Sequence, residues 1–311
     1  MDKKLPPEQQ RRQLHEALRC GKKLRVVEAH NALSAMVASR SNVTVNNHTR
    51  EFDGLWISSL TSSAAKGLPD MEIYLLEDRM DTIRDVVRST DKFVIVDGDT
   101  GGEAVCFEYL CPLLERTGVS AVVIEDKRYP KRNSLSHDSA QELEDPAIFS
   151  NKLRRGKNAL LTAEFKIFAR LEGLIAGAGM ADTLERARIY LDAGADGILL
   201  HSREQNASQV FEFAAIFRAW SKQMRTHQPL ICVPTTYNSV FTEQLFAAGY
   251  DIVIYANQLL RASHHAMKTV CDLMLRDDRA LGCDPFCSPV TSIFDETGYS
   301  AALNHHLRGV A

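Results

Sequence analysis

Eight short aliphatic runs alternating with helical patterns predict a (β/α)8 barrel for this 311-residue chain. Two further observations point the same way. Helix ends feed into strands through short glycine turns, as in Ala193-Gly-Ala-Asp-Gly197, Arg116-Thr-Gly-Val119 and Ala247-Ala-Gly-Tyr250. Polar side chains gather directly after the aliphatic runs, where a barrel collects its chemistry. A doubly wound open sheet is the competing architecture, but no Gly-x-Gly-x-x-Gly turn follows the first run.

Residues 1–23 are rich in Gln, Arg and Lys and read as one amphipathic helix preceding the barrel. The barrel is expected over residues 24–275. Its strands are Leu24–Val27, Gly54–Ile57, Phe93–Val96, Ala121–Ile124, Phe165–Ala169, Gly197–Leu200, Leu230–Val233 and Ile252–Tyr255. Helical patterns such as Phe107–Arg116 and Ala181–Ala193 lie between them. The connection from about 128 to 160 is long, charged and polar, and reads as a functional lid or a partly disordered loop. Residues 276–311 read as a tail with a short docked helix near Val290-Thr-Ser-Ile-Phe294. One barrel domain therefore accounts for residues 1–311.

Composition excludes several classes of function. A hydrophobic content of 45% with 25% charged residues is that of a globular protein. A net charge of -3 supplies no global attraction to nucleic acid or anionic lipid. No apolar run reaches the roughly 20 residues of a membrane span, and the N-terminus has no apolar segment of the signal-peptide kind. Seven cysteines, an odd count without a Cys-x-x-Cys pair, fit free thiols in a reducing cytoplasm.

The candidate chemistry sits at the strand ends. Asp97-Gly-Asp99 follows the third run, so two carboxylates spaced i and i+2 can reach one cation directly or through water. Glu125 closes the next run, and Asp70 can join from the second loop. As turn residues or caps these acids would have no such role. As a set they form an oxygen-only shell, which suits Mg2+ or Mn2+ better than Zn2+. Arg170 can hold a carboxylate or phosphate in bidentate fashion, or simply pair with Glu172. His201 can donate to a substrate oxygen or be a satisfied core histidine. Trp56-Ile-Ser58-Ser59-Leu60 offers hydroxyls and successive amides able to cradle an anion, although Trp56 also fits plain packing. His30 and Asn31 are further mouth residues, with a structural role the simpler reading. Lys131, Asn133 and Ser134 open the long connection. If it closes, they bring cationic and amide groups over an anion and exclude water; otherwise they belong to a solvated loop.

The stretch Glu125-Asp-Lys-Arg-Tyr-Pro-Lys-Arg-Asn-Ser134 resembles the EDKxxPKxNS signature of phosphoenolpyruvate mutases, within the isocitrate lyase superfamily. Other blocks follow in the family's order: Glu28-Ala-His-Asn31, Gly54-Leu-Trp56, Asp97-Gly-Asp-Thr-Gly101, Ala169-Arg170 with Glu172, His201-Ser202, Val233-Pro-Thr235 and Asn257. The resemblance implies a barrel whose last helix is exchanged between subunits of a homodimer or homotetramer. It implies Mg2+ bound directly at Asp97 and through water at Asp70, Asp99 and Glu125. It also implies substrate contacts from Trp56, Ser58, Ser59, Leu60, Arg170 and His201, with Lys131, Asn133 and Ser134 in a gating loop over the phosphoryl group.

Within the superfamily the carbon–carbon lyases carry a cysteine in a KxCGH loop, whereas this chain reads Lys131-Arg-Asn-Ser134. Phosphonopyruvate hydrolases tend to have Thr at the position of Asn133, so the resemblance implies the mutase activity. That activity interconverts phosphoenolpyruvate and phosphonopyruvate, small molecules, as a step of phosphonate biosynthesis. Three departures stand out: Ser59 replaces a Gly, Thr100-Gly-Gly-Glu103 lacks the usual aromatic, and Gly173 replaces Ala.

Overall fold

The computed structural model describes residues 5–136, 140–224, 226–300 and 302–304. Among the described residues ten strands occur in order: β1 (Leu24–Glu28), β2 (Asn42–Val45), β3 (His48–Glu51), β4 (Gly54–Ile57), β5 (Phe93–Asp97), β6 (Ala121–Glu125), β7 (Lys166–Leu171), β8 (Gly197–Leu200), β9 (Leu230–Cys232) and β10 (Ile252–Tyr255). Eight of them close a parallel barrel in the order β1-β10-β9-β8-β7-β6-β5-β4, the expected (β/α)8 architecture. Closure is made where β1 pairs with β10 on one side and with β4 on the other, through Val27↔Tyr255 and Val27↔Leu55.

The aliphatic runs are continuous because both faces of each strand are buried. On β5, Phe93 and Ile95 point into the barrel interior, while Val94 and Val96 pack under the surrounding helices. Gly54 permits the β4–β5 pairing: a Cβ there would lie 2.1 Å from the ring of Phe93, its partner across the ladder. The bottom of the barrel is plugged by the helix Pro7–Arg19, whose Leu14 is fully buried with the interior residues. Gln10 anchors that helix by donating to the carbonyls of Thr90 at 3.2 Å and Lys92 at 2.8 Å.

Three expectations need correction. The N-terminal helix is shorter than residues 1–23; within the described residues it begins after Pro6 and ends before Gly21, whose φ of +66° terminates it. The connection 128–160 is not one loop. Its second half is the helix Pro146–Ala159, with Asp145 accepting the Ala147 N–H at 2.8 Å, proline at the first turn, and Phe149, Leu153 and Gly156 buried. The irregular part ends near residue 145 and is pinned by a bridge between Lys127 and Leu143. The tail carries a 3-10 helix, Leu281–Phe286, as well as the helix Val290–Thr297. An exposed hairpin, β2–β3, was absent from the sequence reading. Its turn places Asn46 and Asn47 at φ of 50° and 62°, the left-handed region that asparagine tolerates.

Three strands run one residue further than their aliphatic runs, so Glu28, Asp97 and Glu125 are the last residues of β1, β5 and β6. The site acids Asp97 and Glu125 are thereby held on rigid elements. Among the described residues no helix is long and apolar enough to cross a membrane. All seven cysteines are free thiols.

Candidate active site

The loops after β4, β5, β6, β7 and β8 bring the site together at one end of the barrel. Ser58 precedes a short helix, Ser59–Ala65. Asp97 and Asp99 flank Gly98, and Asp99 adopts a φ of 54° that turns the chain back, so that its carbonyl accepts the Glu125 N–H at 2.7 Å. Asp97, Asp99 and Glu125 are all at least 96% buried. The fully buried Arg79 braces this corner, donating to the Asp97 carbonyl at 2.7 Å and to Asp99 Oδ2 at 2.5 Å.

The segment after β6 folds back over these acids. The Lys131 ammonium lies 2.7 Å from Asp99 Oδ1 and 3.1 Å from Asp70 Oδ1, and donates to Ser59 Oγ at 2.7 Å. The Asn133 side-chain amide donates to Asp70 Oδ2 at 2.6 Å. Ser59, the residue that departs from the family's glycine, gives Asp97 Oδ2 two hydrogen bonds, from its Oγ at 2.9 Å and its N–H at 3.3 Å. Its amide is therefore engaged with the carboxylate that the resemblance assigns to the metal.

A second charged centre adjoins the first. Glu172, fully buried, accepts from Arg170 Nε at 2.6 Å and from Ser134 Oγ at 2.7 Å, and its carboxylate lies 3.1 Å from the Lys127 ammonium. His201 Nδ1 lies 2.8 Å from both Glu172 Oε1 and Arg170 Nη2. That nitrogen cannot donate and accept at once. Arg170 Nη2 has a second acceptor in Ser134 Oγ at 3.0 Å, so an Nδ1–H donated to Glu172 satisfies all the groups. Arg170 Nη2 also reaches within 3.4 Å of Glu125 Oε2. The pairing of Arg170 with Glu172, one of the two readings of the sequence, is present; the remaining guanidinium nitrogen, Nη1, lies 4.0 Å from Asp97 Oδ2.

The charge states follow from these neighbours. Burial opposes ionisation of Asp97, but Lys131, Arg170 and Arg79 overcome it and hold the carboxyl below its usual range. Burial likewise opposes ionisation of Glu172, yet Arg170, His201 and Lys127 hold it well below. Glu125 behaves differently: burial pushes it up to about 7 against the opposing pull of Lys127 and Arg170. Burial, then Arg170, lowers His201 below the usual imidazole value against the opposing pull of Glu172.

Asp97, Asp70, Lys131, Asn133, Ser134, Arg170 and His201 all line one cavity. Trp56, Ser58, Ser59, Leu60 and Asn257 line it as well. Asp99 and Glu125 are not in the cavity lining. Its volume is about 60 Å³, far below the ~300 Å³ at the lower end of small-molecule sites, so a ligand is admitted only when the covering loop moves. Most of the sequence-derived candidates thus line one cavity; Asp99 and Glu125 adjoin it through Lys131 and Arg170, while His30 and Asn31 are not part of its lining. Glu172, Lys127 and Arg79 belong to the same constellation; the sequence offered Glu172 only as a candidate partner of Arg170 and Lys127 only as a strand-end residue without a role, and Arg79 not at all.

Whether the acids suit Mg2+ can be judged from their hydrogen bonds. Both oxygens of Glu125, Asp70 Oδ1 and Asp99 Oδ1 are buried without a hydrogen-bond partner of good geometry. These oxygens are held by ion pairs to Lys131, Arg170 and Lys127 instead, and carboxylate oxygens of this kind suit a hydrated hard cation. Among the described residues no three such groups stand at the spacing of a closed coordination shell. The Lys131 ammonium lies between Asp70 and Asp99, and water-mediated contacts span wider gaps than direct ones. By its chemistry the all-oxygen donor set suits a hydrated Mg2+, which would enter only with Lys131 withdrawn from between Asp70 and Asp99.

A family described as phosphoenolpyruvate phosphomutase matches residues 12–275. The chain belongs to the phosphoenolpyruvate phosphomutase family. It is 33% identical over 270 residues to a phosphoenolpyruvate phosphomutase of Tetrahymena pyriformis, covering 86% of this chain and 85% of that one. It is 32% identical over 287 residues to a phosphonopyruvate hydrolase of Variovorax sp., covering 92% and 93%. The solved phosphoenolpyruvate phosphomutase of Streptomyces platensis subsp. rosaceus superposes with a TM-score of 0.88 at 32% identity, over 97% of this chain and 99% of that one. A phosphonopyruvate hydrolase solved as a complex with oxalate and Mg2+ gives 0.84 at 29%, over 99% and 100%. The phosphomutase family is one of enzymes, and its mutase and hydrolase members are alike in their distance from this chain.

Proposed function

We propose that this chain is a phosphoenolpyruvate mutase, interconverting phosphoenolpyruvate and phosphonopyruvate in phosphonate biosynthesis. The observation that carries the reading is the loop 131–134, which presses Lys131, Asn133 and Ser134 against the Asp97 and Arg170 cleft and leaves about 60 Å³. None of the seven cysteines lines that cavity, so the thiol acid/base of the superfamily's lyases has no counterpart. The mutase reaction needs none. The C–P bond of phosphonopyruvate breaks, an O–P bond forms on the enol oxygen of the same pyruvyl unit, and no proton is gained or lost.

Asp97, with Asp70, Asp99 and Glu125, would hold Mg2+, which when bound supplies positive charge to the pyruvyl oxygens. Arg170 and His201 hold the carboxylate and phosphoryl groups, fixed in place by Glu172. Trp56, Ser58, Ser59 and Leu60 wall in the pyruvyl unit. Asn133 contacts the migrating phosphoryl group, and Lys131 and Ser134 keep the loop shut. Because the transition state is loose and metaphosphate-like, positioning and exclusion of water carry most of the catalysis. The hydrolase of similar identity defines the second reading, in which water captures the phosphoryl group.

Incubation with Mg2+ and phosphonopyruvate, followed by phosphorus NMR, separates the two: phosphoenolpyruvate supports the mutase, and free phosphate as the sole product rules it out. Asn133→Ala is expected to lose about 10²-fold in mutase turnover while the Mg2+ dependence persists; unchanged turnover would remove Asn133 from the mechanism.

The reading extends to assembly and place of action. The helix Gln258–Asp277 buries none of its residues in its own chain, and Met267 and Leu275 are exposed along it. This supports the exchange of the last helix with a second copy in a cytoplasmic homodimer or homotetramer. Sedimentation at micromolar concentration is expected to give a dimer or tetramer; a monomer there would count against the exchange.

A further inference from the structure

We propose that Glu72 is a positioning residue that latches the 131–134 loop shut, and that its carboxylate rather than its shape is what the latch requires. The proposal deepens the reading above, on which only its catalytic readouts rest.

Glu72 belongs to the loop after β4, is 6% exposed, and forms no ion pair within 4.0 Å among the described residues. Its backbone has a φ of 58°, in the left-handed region. A bulky non-glycine residue stays there only where its surroundings over-determine it. Here they do. Oε1 accepts the Thr100 N–H at 3.1 Å and the Thr100 Oγ1 hydroxyl at 2.7 Å, and Oε2 accepts the Lys131 N–H at 3.0 Å. Lys152, from the helix Pro146–Ala159, donates to the Thr100 carbonyl at 2.7 Å.

One carboxylate therefore joins the loops after β4, β5 and β6, and Thr100 passes the connection on to the helix that follows the gate. The bond to Lys131 is made to the backbone, so it fixes where that residue starts while the ammonium reaches Asp70 and Asp99. All three donors facing Glu72 are N–H or O–H groups, and an ionised carboxylate is acceptor-only. An amide of the same shape has one acceptor and one donor end. It must turn its NH2 toward either Thr100 or Lys131, and so breaks the latch on one side.

The test compares the full chain with Glu72→Gln by limited trypsin digestion without substrate, with cleavage read by mass spectrometry. Cleavage after Arg128, Lys131 and Arg132 is expected to accelerate about tenfold in the variant, the equivalent of one charge-assisted hydrogen bond lost from the closed state. Cleavage after Arg276 serves as the control and is expected to stay at the wild-type rate. With phosphonopyruvate and Mg2+, KM is expected to rise about tenfold more than kcat falls, and the share of free phosphate in the product to increase as water is admitted. Loop cleavage at the wild-type rate, or acceleration equal at Arg276, overturns the latch. If Glu72→Gln does not fold, Thr100→Val removes one of the three donors and carries the same comparison. The digestion decides the latch whichever product phosphonopyruvate yields, so failure of the mutase reading is seen separately.

Discussion

Asp97→Ala is expected to lower turnover at saturating substrate by at least about 10³-fold, the equivalent of roughly 4 kcal/mol of transition-state stabilisation. Two losses combine in this variant. The carboxylate that would hold Mg2+ directly disappears, and Ser59 Oγ and N–H lose their shared acceptor at 2.9 and 3.3 Å. The Asp97 carbonyl still receives Arg79 at 2.7 Å, so the backbone of the corner is retained. The check is rate against Mg2+ concentration: the variant should remain inactive at Mg2+ levels that saturate the wild type. Activity restored by excess Mg2+ would show that Asp97 tunes affinity and is not required for chemistry. Asp97→Asn is the companion variant, since it keeps the shape and removes the charge.

Glu172→Ala is expected to reduce folding stability by about 3–5 kcal/mol, because it strands buried positive charge. Arg170 at 2.6 Å and Lys127 at 3.1 Å lose their counter-ion, and His201 loses its hydrogen-bond acceptor at 2.8 Å. Denaturant unfolding measures the loss, and a change below about 1 kcal/mol would mean that Glu125 takes over as counter-ion. The sign of the pH dependence follows from the direction of the shift. Glu172 is held well below its usual value, so its contribution is fully present above the carboxyl range of the unfolded chain and is lost as pH falls through the depressed value. The stability gap between wild type and variant should therefore narrow only in acid.

The barrel was legible in the sequence because burial of both strand faces leaves unbroken aliphatic runs, as in Phe93-Val-Ile-Val96 and Ala121-Val-Val-Ile124. Asp97, Asp99 and Glu125 were legible for the converse reason: ionisable groups immediately after buried runs have to be accommodated somewhere specific. Arg79 gave no such warning. It stands in Glu77-Asp-Arg79, which reads as solvated surface, and its full burial depends on acids 18 and 20 residues further along. The helix Pro146–Ala159 was concealed by Lys152, Arg154, Arg155 and Lys157, which dilute the apolar spacing of Phe149 and Leu153. The hairpin β2–β3 is exposed at every position, so no core-facing alternation marked it. The competing roles of Arg170 could not be separated before coordinates, because an anion clamp and an ion pair use the same guanidinium.

A chamber that leaves room for only a few water molecules has a kinetic corollary. On the mutase reading, each cycle would have to part the lysine from its aspartates, swing the cover aside, and re-form the seal before bond rearrangement. Such a movement is opposed by solvent friction, whereas an intramolecular migration inside a sealed space is not. The throughput of the protein would then be governed by mechanics at its rim, and a more viscous medium would slow it even with the chemistry unaltered.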